Sequence, residues 1–284
     1  MLQRFAVTDG IHLTADVLGE PGSSAVILMH GGGQTRHSWH AASTELARQG
    51  YYVINYDARG HGDSDWSPQG EYSLEIFAAD LMDIIQTLPQ PPALVGASMG
   101  AATALFAVGN SPTHLVRALV LVDFVPEVER EGSERIRSFM NANLGGFATV
   151  EEAADAVSAY YPHRRRPRNI SGLMKNLRRR DDGRLYWHWD PRFVTQRERG
   201  EPPQFSSKLS DAASRIQVPA LLVRGLLSDI ISERGVASLK TQMPALELYD
   251  VAGAAHMVAG DKNDKFNQGV IGFLQRQMPA RPAP

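Results

Sequence analysis

The sequence predicts an α/β protein built on a mostly parallel central sheet flanked by helices. Two observations lead there. Strand-length apolar runs recur along the chain and are nearly continuous, as strands covered on both faces require. Helix-like amphipathic stretches separate the early runs, giving the strand–helix alternation of a parallel sheet. With 284 residues there is length for one large domain, or for a core domain carrying an inserted subdomain.

The opening stretch MLQRFAVTDGIHLTADVLG alternates apolar and polar residues like a strand and lacks the unbroken apolar core of a signal peptide. Strand runs then follow at Ala25 to His30, Tyr51 to Asp57, Ala93 to Ala97 and Ala118 to Phe124. Two more come much later, at Val218 to Gly225 and Leu246 to Val251. Helices are expected over Ser38 to Gly50, over Ser73 to Leu88 where Pro89 stops the run, and over Gly100 to Asn110. Leu74, Phe77, Ala78, Leu81, Ile84, Ile85 and Leu88 fall on one helical face.

Between about Glu127 and Ser210 the rhythm breaks. This stretch is rich in arginine (HRRRPRN, LRRRDDGR) and aromatics (YWHWDPRF), and basic residues outnumber acidic ones in it. It reads as a mainly helical cap inserted into the sheet domain. The expected organisation is a first core part over 1–126, the cap over 127–210, a second core part over 211–278 and a flexible tail over 279–284.

Composition narrows the function. With 43% hydrophobic and 21% charged residues the chain is an ordinary globular mixture, which argues against disorder. A net charge of only −2 gives no footprint for nucleic acid or an anionic membrane. No cysteine is present, which removes disulfides, thiolate catalysis and cysteine zinc sites. No apolar run is long enough to span a bilayer, so a cytoplasmic location is expected. His37 and His40 share a helix face, but without His-Glu-x-x-His or an aspartate cluster neither a metal nor a cofactor is expected.

The chemistry-bearing stretch is LVGASMGAATALFAVG, Leu94 to Gly109. Gly-Ala-Ser-Met-Gly after a buried-type strand and before small residues is the pattern of a tight strand-to-helix elbow that exposes Ser98 at the carboxyl end of the sheet. A serine hydroxyl needs a base, and the base needs an orienting group. His256 follows the last strong strand and Asp229 follows the strand before it, so both fall at the same sheet edge. The order Ser98, Asp229, His256 completes a triad, with Asp123 as the alternative acid because it follows the strand after the elbow. The glycines of LMHGGGQTRHSW leave backbone N–H groups available to a negative oxygen, and Met99 supplies a second N–H beside the nucleophile.

Together, His30-Gly31-Gly32-Gly33, YDARGHGDS, GASMG, VRGLLSD and AAHMV resemble the α/β-hydrolase superfamily in order and spacing, most of all its capped esterase, lactonase and epoxide-hydrolase-like branch. The resemblance implies the α/β-hydrolase fold, Ser98 as nucleophile, His256 as base, Asp229 as acid and an oxyanion hole from Gly32 and Met99. GAAH departs from the many relatives that place glycine directly before the histidine. Serine rather than aspartate at the elbow points to attack on a carbonyl. The expected partner is a small-molecule substrate: a small carboxylic ester, lactone or related acyl compound. His30, Gly31, Gly33, His37, Trp187, Trp189 and Phe193 are candidates for its pocket, with Tyr160 and Tyr161, and a cap arginine could receive a substrate carboxylate.

Other readings stay open at this level. Carbon–carbon and amide hydrolysis use the same groups, and a receptor with little turnover could carry the same pocket. GASMGAATALFAVG also reads as a dinucleotide-binding turn with Asp123 as ribose acid, but it follows the third core strand rather than the first and no Tyr-x-x-x-Lys pair occurs.

Overall fold

A computed structural model of the chain describes residues 1–111, 115–160, 169–198, 204–256 and 263–280. Tyr161, the arginines between 163 and 168, and the last four residues lie outside the described residues. The opening stretch forms two strands rather than one, β1 (Leu2–Ala6) and β2 (His12–Leu18), paired antiparallel. Asp9, at φ +69, makes the turn between them.

The six core runs become β3 (Ala25–Met29), β4 (Tyr52–Tyr56), β5 (Ala93–Ala97), β6 (Ala118–Val122), β9 (Ala220–Gly225) and β10 (Glu247–Val251). The sheet order is β1-β2-β4-β3-β5-β6-β9-β10, parallel from β4 to β10. Alternate side chains of a strand face opposite sides, so a doubly covered strand must be apolar throughout. In β3, Val26 and Leu28 enter one core while Ile27 and Met29 enter the other; β6 divides Val120 and Leu121 the same way.

Helices α1 (His40–Arg48) and α9 (Asn263–Gln277) close one face with Trp39, Leu46, Phe266 and Phe273. Helices α2 (Leu74–Gln86) and α3 (Met99–Gly109) cover the other, joined by α7 (Phe205–Ser214) and α8 (Glu233–Gln242). Ser73 caps α2 by accepting the Ile76 N–H, as its place before an apolar helical run predicts.

The inserted segment holds α4 (Arg130–Ala142), α5 (Val150–Tyr160), α6 (Pro191–Glu198) and a small two-stranded sheet, β7 (Leu177–Arg179) with β8 (Leu185–Trp187). Helix α7 straddles the boundary read at 210/211 and packs on the core: a side-chain carbon at Gly109 of α3 would lie 2.2 Å from Ala212 O. The insertion's aromatics form a stacked group in which Trp187 and Trp189 lie 5.1 Å apart with planes 12° from parallel. Among the described residues, no helix is long and apolar enough to cross a membrane.

Candidate active site

Ser98 stands between β5 and α3 with φ +47 and ψ −110, a left-handed conformation that strains any residue but glycine by about 1–3 kcal/mol. The surroundings impose it. The Ser98 N–H donates to Val122 O of the neighbouring strand at 3.2 Å, and its C=O accepts the Ala102 N–H at 2.9 Å inside α3. Two glycines let the strand and helix close together. A side-chain carbon at Gly96 would lie 2.5 Å from the Gly100 carbonyl carbon, and one at Gly100 would lie 2.5 Å from Met29 O. The Gly-x-Ser-x-Gly spacing is thus a packing requirement as well as a signature.

His256 follows β10, half-buried, and its Nδ1 lies 2.8 Å from Asp123 Oδ2. Asp123 leaves β6 at φ +49 and is almost fully buried. Its Oδ1 accepts the Gly225 N–H at 3.1 Å, and its Oδ2 also accepts the Ser228 hydroxyl at 2.6 Å. A carboxylate held by two further donors is fixed in place, and with Nδ1–H donating to it the Nε2 of His256 remains an acceptor. Ser98 and His256 line the same cavity.

Asp229 does not meet His256, contrary to the expectation from chain order. Its Oδ2 pairs with Arg135 Nη2 of α4 at 2.5 Å. Asp123, at the exit of β6 beside the Ser98 strand β5, reaches the histidine, although β9 and not β6 is the neighbour of β10. After β9 the chain turns tightly, with Ser228 N–H on Gly225 O at 3.0 Å and Ser228 Oγ on Asp123. That turn delivers Asp229 to the insertion. Ser228 was not foreseen, and a serine beside an aspartate carries no pattern that would single it out.

The loop Gly31-Gly32-Gly33 follows β3. Gly31 N–H donates to Gln34 Oε1 at 3.2 Å, and Gly31 O accepts both the Gln34 N–H at 3.1 Å and His30 Nδ1–H at 2.8 Å. Gly33, at φ +74, donates its N–H to His61 Nε2 at 3.2 Å, while its C=O lies 3.3 Å from His188 Nε2. Gly32 and Met99 line or adjoin the cavity, and neither N–H meets an acceptor among the described residues. His61 belongs to the YDARGHGDS stretch, in which Arg59 and His61 are expected to be structural, whereas no pattern marks Gln34 or His188 as holding the loop.

Three buried imidazoles surround this loop. Each accepts a backbone N–H: His30 Nε2 from Ala58 at 2.9 Å, His61 Nε2 from Gly33, and His188 Nδ1 from Gly62 at 2.7 Å. Only a neutral ring can accept, so the geometry fixes the protonation state. Burial also lowers His30 below its ordinary value and holds His188 down to about 3. An unfolded histidine titrates near 6.5. Above that pH both states are neutral; below it the unfolded chain takes up protons that the native rings refuse. The stability present above about 6.5 is therefore lost as pH falls, by up to ~1.4 kcal/mol per pH unit for each such histidine. The expected result is a lower Tm at pH 5 than at pH 7.5, with a shallower fall in His188→Gln, measured by thermal denaturation across buffers.

The cavity holds about 230 Å³. Of the sequence candidates, Gly31, Gly33, Trp187 and Trp189 line it, together with Tyr160. His30 is buried beneath the loop, and His37 is half-buried in the turn before α1; neither is part of the lining. Phe193 is also displaced from the expected role: it is fully buried, edge-on to His61 at 4.6 Å and to Tyr72 at 5.8 Å, and serves as core beneath the insertion. Ile136, Phe139, Met140 and Val157 of the insertion line the cavity without having been foreseen. Among the described residues, no group of three or more histidine or acidic side chains is placed to hold a metal ion.

Comparison with known proteins agrees with this architecture. A family model described as the alpha/beta hydrolase fold matches residues 24–262. Esterase Rv0045c of Mycobacterium tuberculosis is 29% identical over 256 residues, covering 88% of this chain and 82% of its own. The 2-(acetamidomethylene)succinate hydrolase of Mesorhizobium japonicum is 30% identical over 214 residues, covering 73% of each. A crystal structure of E-2-(acetamidomethylene)succinate hydrolase superposes with a TM-score of 0.85 at 25% identity, covering 97% of this chain and 99% of that one. With a parallel sheet, a serine elbow and a family match over most of its length, the chain belongs to the alpha/beta-hydrolase family.

Proposed function

We propose that this hydrolase acts by acyl transfer through Ser98, His256 and Asp123 on an uncharged carboxylic ester, lactone or related acyl compound. The observation that carries the reading is the placement of a backbone-strained serine in one cavity with a histidine whose Nδ1 is bound to a buried carboxylate. His256 Nε2 takes the Ser98 proton as Oγ attacks the carbonyl carbon, and Asp123 holds the ring and supports the imidazolium. The N–H groups of Gly32 and Met99 receive the tetrahedral oxyanion. His256 then protonates the leaving alcohol, and water releases the acid by the same steps in reverse.

The pocket wall favours a neutral, apolar acyl group. Ile136, Phe139, Met140, Leu173, Trp187 and Trp189 line it, and no lysine, arginine or acid does so among the described residues. The nearby cation Arg135 is committed to Asp229. One relative is named for a succinate substrate, whose carboxylates would call for cations. This pocket lacks them among the described residues.

Intact-mass analysis with a small fluorophosphonate tests the reading. One adduct is expected on the wild type, none on Ser98→Ala and much slower labelling of His256→Ala. A folded wild type that takes no adduct would sink the mechanism. Substrate class is tested by aryl butanoate against aryl hemisuccinate, with kcat/KM expected to favour the neutral acyl group by about tenfold or more. A burst without further turnover would instead support the receptor reading.

A further inference from the structure

We propose that His188, a residue of the insertion, is a positioning residue for the oxyanion loop: its ring ties Gly33 C=O to Gly62 N–H and so sets where Gly32 presents its N–H. This inference rests on the acyl-transfer reading above. The polar atoms on either side of Gly32 are all held. Gly31 is fixed at both N–H and C=O by Gln34 and His30, and Gly33 is fixed at its N–H by His61 and at its C=O by His188. The Gly32 N–H is the donor left over among the described residues, and Gly32 lines the cavity.

His188 differs from its neighbours in origin. His30, His61 and Gln34 belong to the core, within the same run of chain as the loop or the segment after β4. His188 comes from beyond β8, more than 150 residues along from Gly33. Its ring makes the hydrogen bond by which the insertion holds Gly33, beside the packing of Met140 and Trp189 against that glycine and the bond from the Thr35 hydroxyl to Asn176 Oδ1 at 3.1 Å. The ring is fully enclosed, with His61 at 5.8 Å and Trp189 edge-on at 5.3 Å, and the following Asp190 is anchored to the core through its N–H on Gly60 O at 2.9 Å and its carboxylate on the Tyr72 hydroxyl. The tautomer follows from the partners. Gly62 N–H donates to Nδ1 at 2.7 Å, so the proton is on Nε2 and points the donor at Gly33 O. An oxyanion donor works only when held in advance at the position the charge will occupy. On this arrangement the donor geometry depends on the insertion being seated, which couples the pocket lid to the chemistry without any side chain of the insertion touching the reacting atoms.

The two ring nitrogens can be separated by substitution. A glutamine amide reproduces the Nε2 donor to Gly33, an asparagine carbonyl reproduces the Nδ1 acceptor for Gly62, and leucine removes both. We would measure kcat and KM for an aryl butanoate per fluorophosphonate-titrated site, and the affinity of a trifluoromethyl ketone that forms the tetrahedral adduct. Leu46→Ala, in the opposite core, serves as a control for general loss of stability. His188→Leu and His188→Asn are expected to lose about 10²-fold in kcat with KM changed less than about threefold, and to lose ketone affinity in proportion. His188→Gln is expected to keep kcat within about tenfold of the wild type. Equal kcat for the glutamine and asparagine variants would overturn the inference, as would a leucine variant no slower than Leu46→Ala at matched Tm. A wild type that forms no adduct would overturn the acyl-transfer reading and this inference with it, whereas a labelled wild type with unaffected variants overturns this inference alone.

Discussion

On the proposed mechanism, Asp123→Asn is expected to lower kcat for ester hydrolysis by about 10⁴-fold, while Asp229→Asn is expected to leave it within about threefold. The asymmetry follows from what each carboxylate touches. Asp123 is buried, is held by Gly225 N–H and the Ser228 hydroxyl, and meets His256 Nδ1 at 2.8 Å. Asparagine in its place keeps the shape but offers an N–H that favours the other histidine tautomer, with the proton on Nε2. Nε2 then has no lone pair for the Ser98 proton. Asp229 is a third exposed and is engaged by Arg135, so its loss removes an ion pair of the insertion and no part of the proton path. Steady-state kinetics normalised to titrated sites make the comparison. If Asp229→Asn proved the more damaging change, the assignment of Asp123 would be wrong.

Asp80→Ala is expected to destabilise the fold by about 3–5 kcal/mol. The Asp80 carboxylate of α2 receives Arg59 Nε at 2.7 Å and Nη2 at 2.5 Å, and both side chains are almost fully buried. Removing the acid leaves a buried guanidinium whose remaining ion-pair partner among the described residues is Asp9, at 3.8 Å. The double variant Arg59→Met, Asp80→Leu removes both charges and should cost far less than Asp80→Ala alone. Urea denaturation of both proteins checks this. Arg59 belongs to the YDARGHGDS stretch, and its pairing with α2 explains how that loop is held close to the site.

The core was readable because doubly buried strands must be apolar on both faces, and each of the six core runs became a strand to within about two residues. The opening stretch misled because alternation fits one long strand as well as two short ones; the Asp9-Gly10 pair, both at positive φ, makes the turn and is the mark in the sequence that separates the two strands. Ser98, His256 and the glycine loop were legible because their backbone demands leave marks: a strained elbow needs small neighbours, and a tight loop needs glycine. The partner of His256 was not legible from chain order. The strand order β5-β6-β9-β10 is the same in the sheet as in the chain and does not decide the carboxylate; the turn after β9, which sends Ser228 to Asp123 and Asp229 to Arg135, does. Phe193 and His30 show the same limit: both lie near the site in sequence yet are buried beneath the pocket rather than in its lining, and only the packing decides.

The pairing of Asp229 with Arg135 places a partly exposed ion pair between the loop after β9 and the first helix of the insertion, with Arg135 also near the face of Tyr160 at 5.9 Å from its ring centre. Exposed pairs weaken as dissolved ions gather around them, while the buried bond between Asp123 and His256 is shielded from that atmosphere. On the proposed mechanism, ionic strength is expected to weaken this contact of the insertion more than the Asp123–His256 bond. Raising salt from about 0.01 to 1 M shortens the screening length from about 30 to about 3 Å. Over that range, KM for a bulky ester should shift while the rate of the acylated intermediate's hydrolysis holds steady, so that brine becomes a dial for access to an otherwise unchanged catalyst.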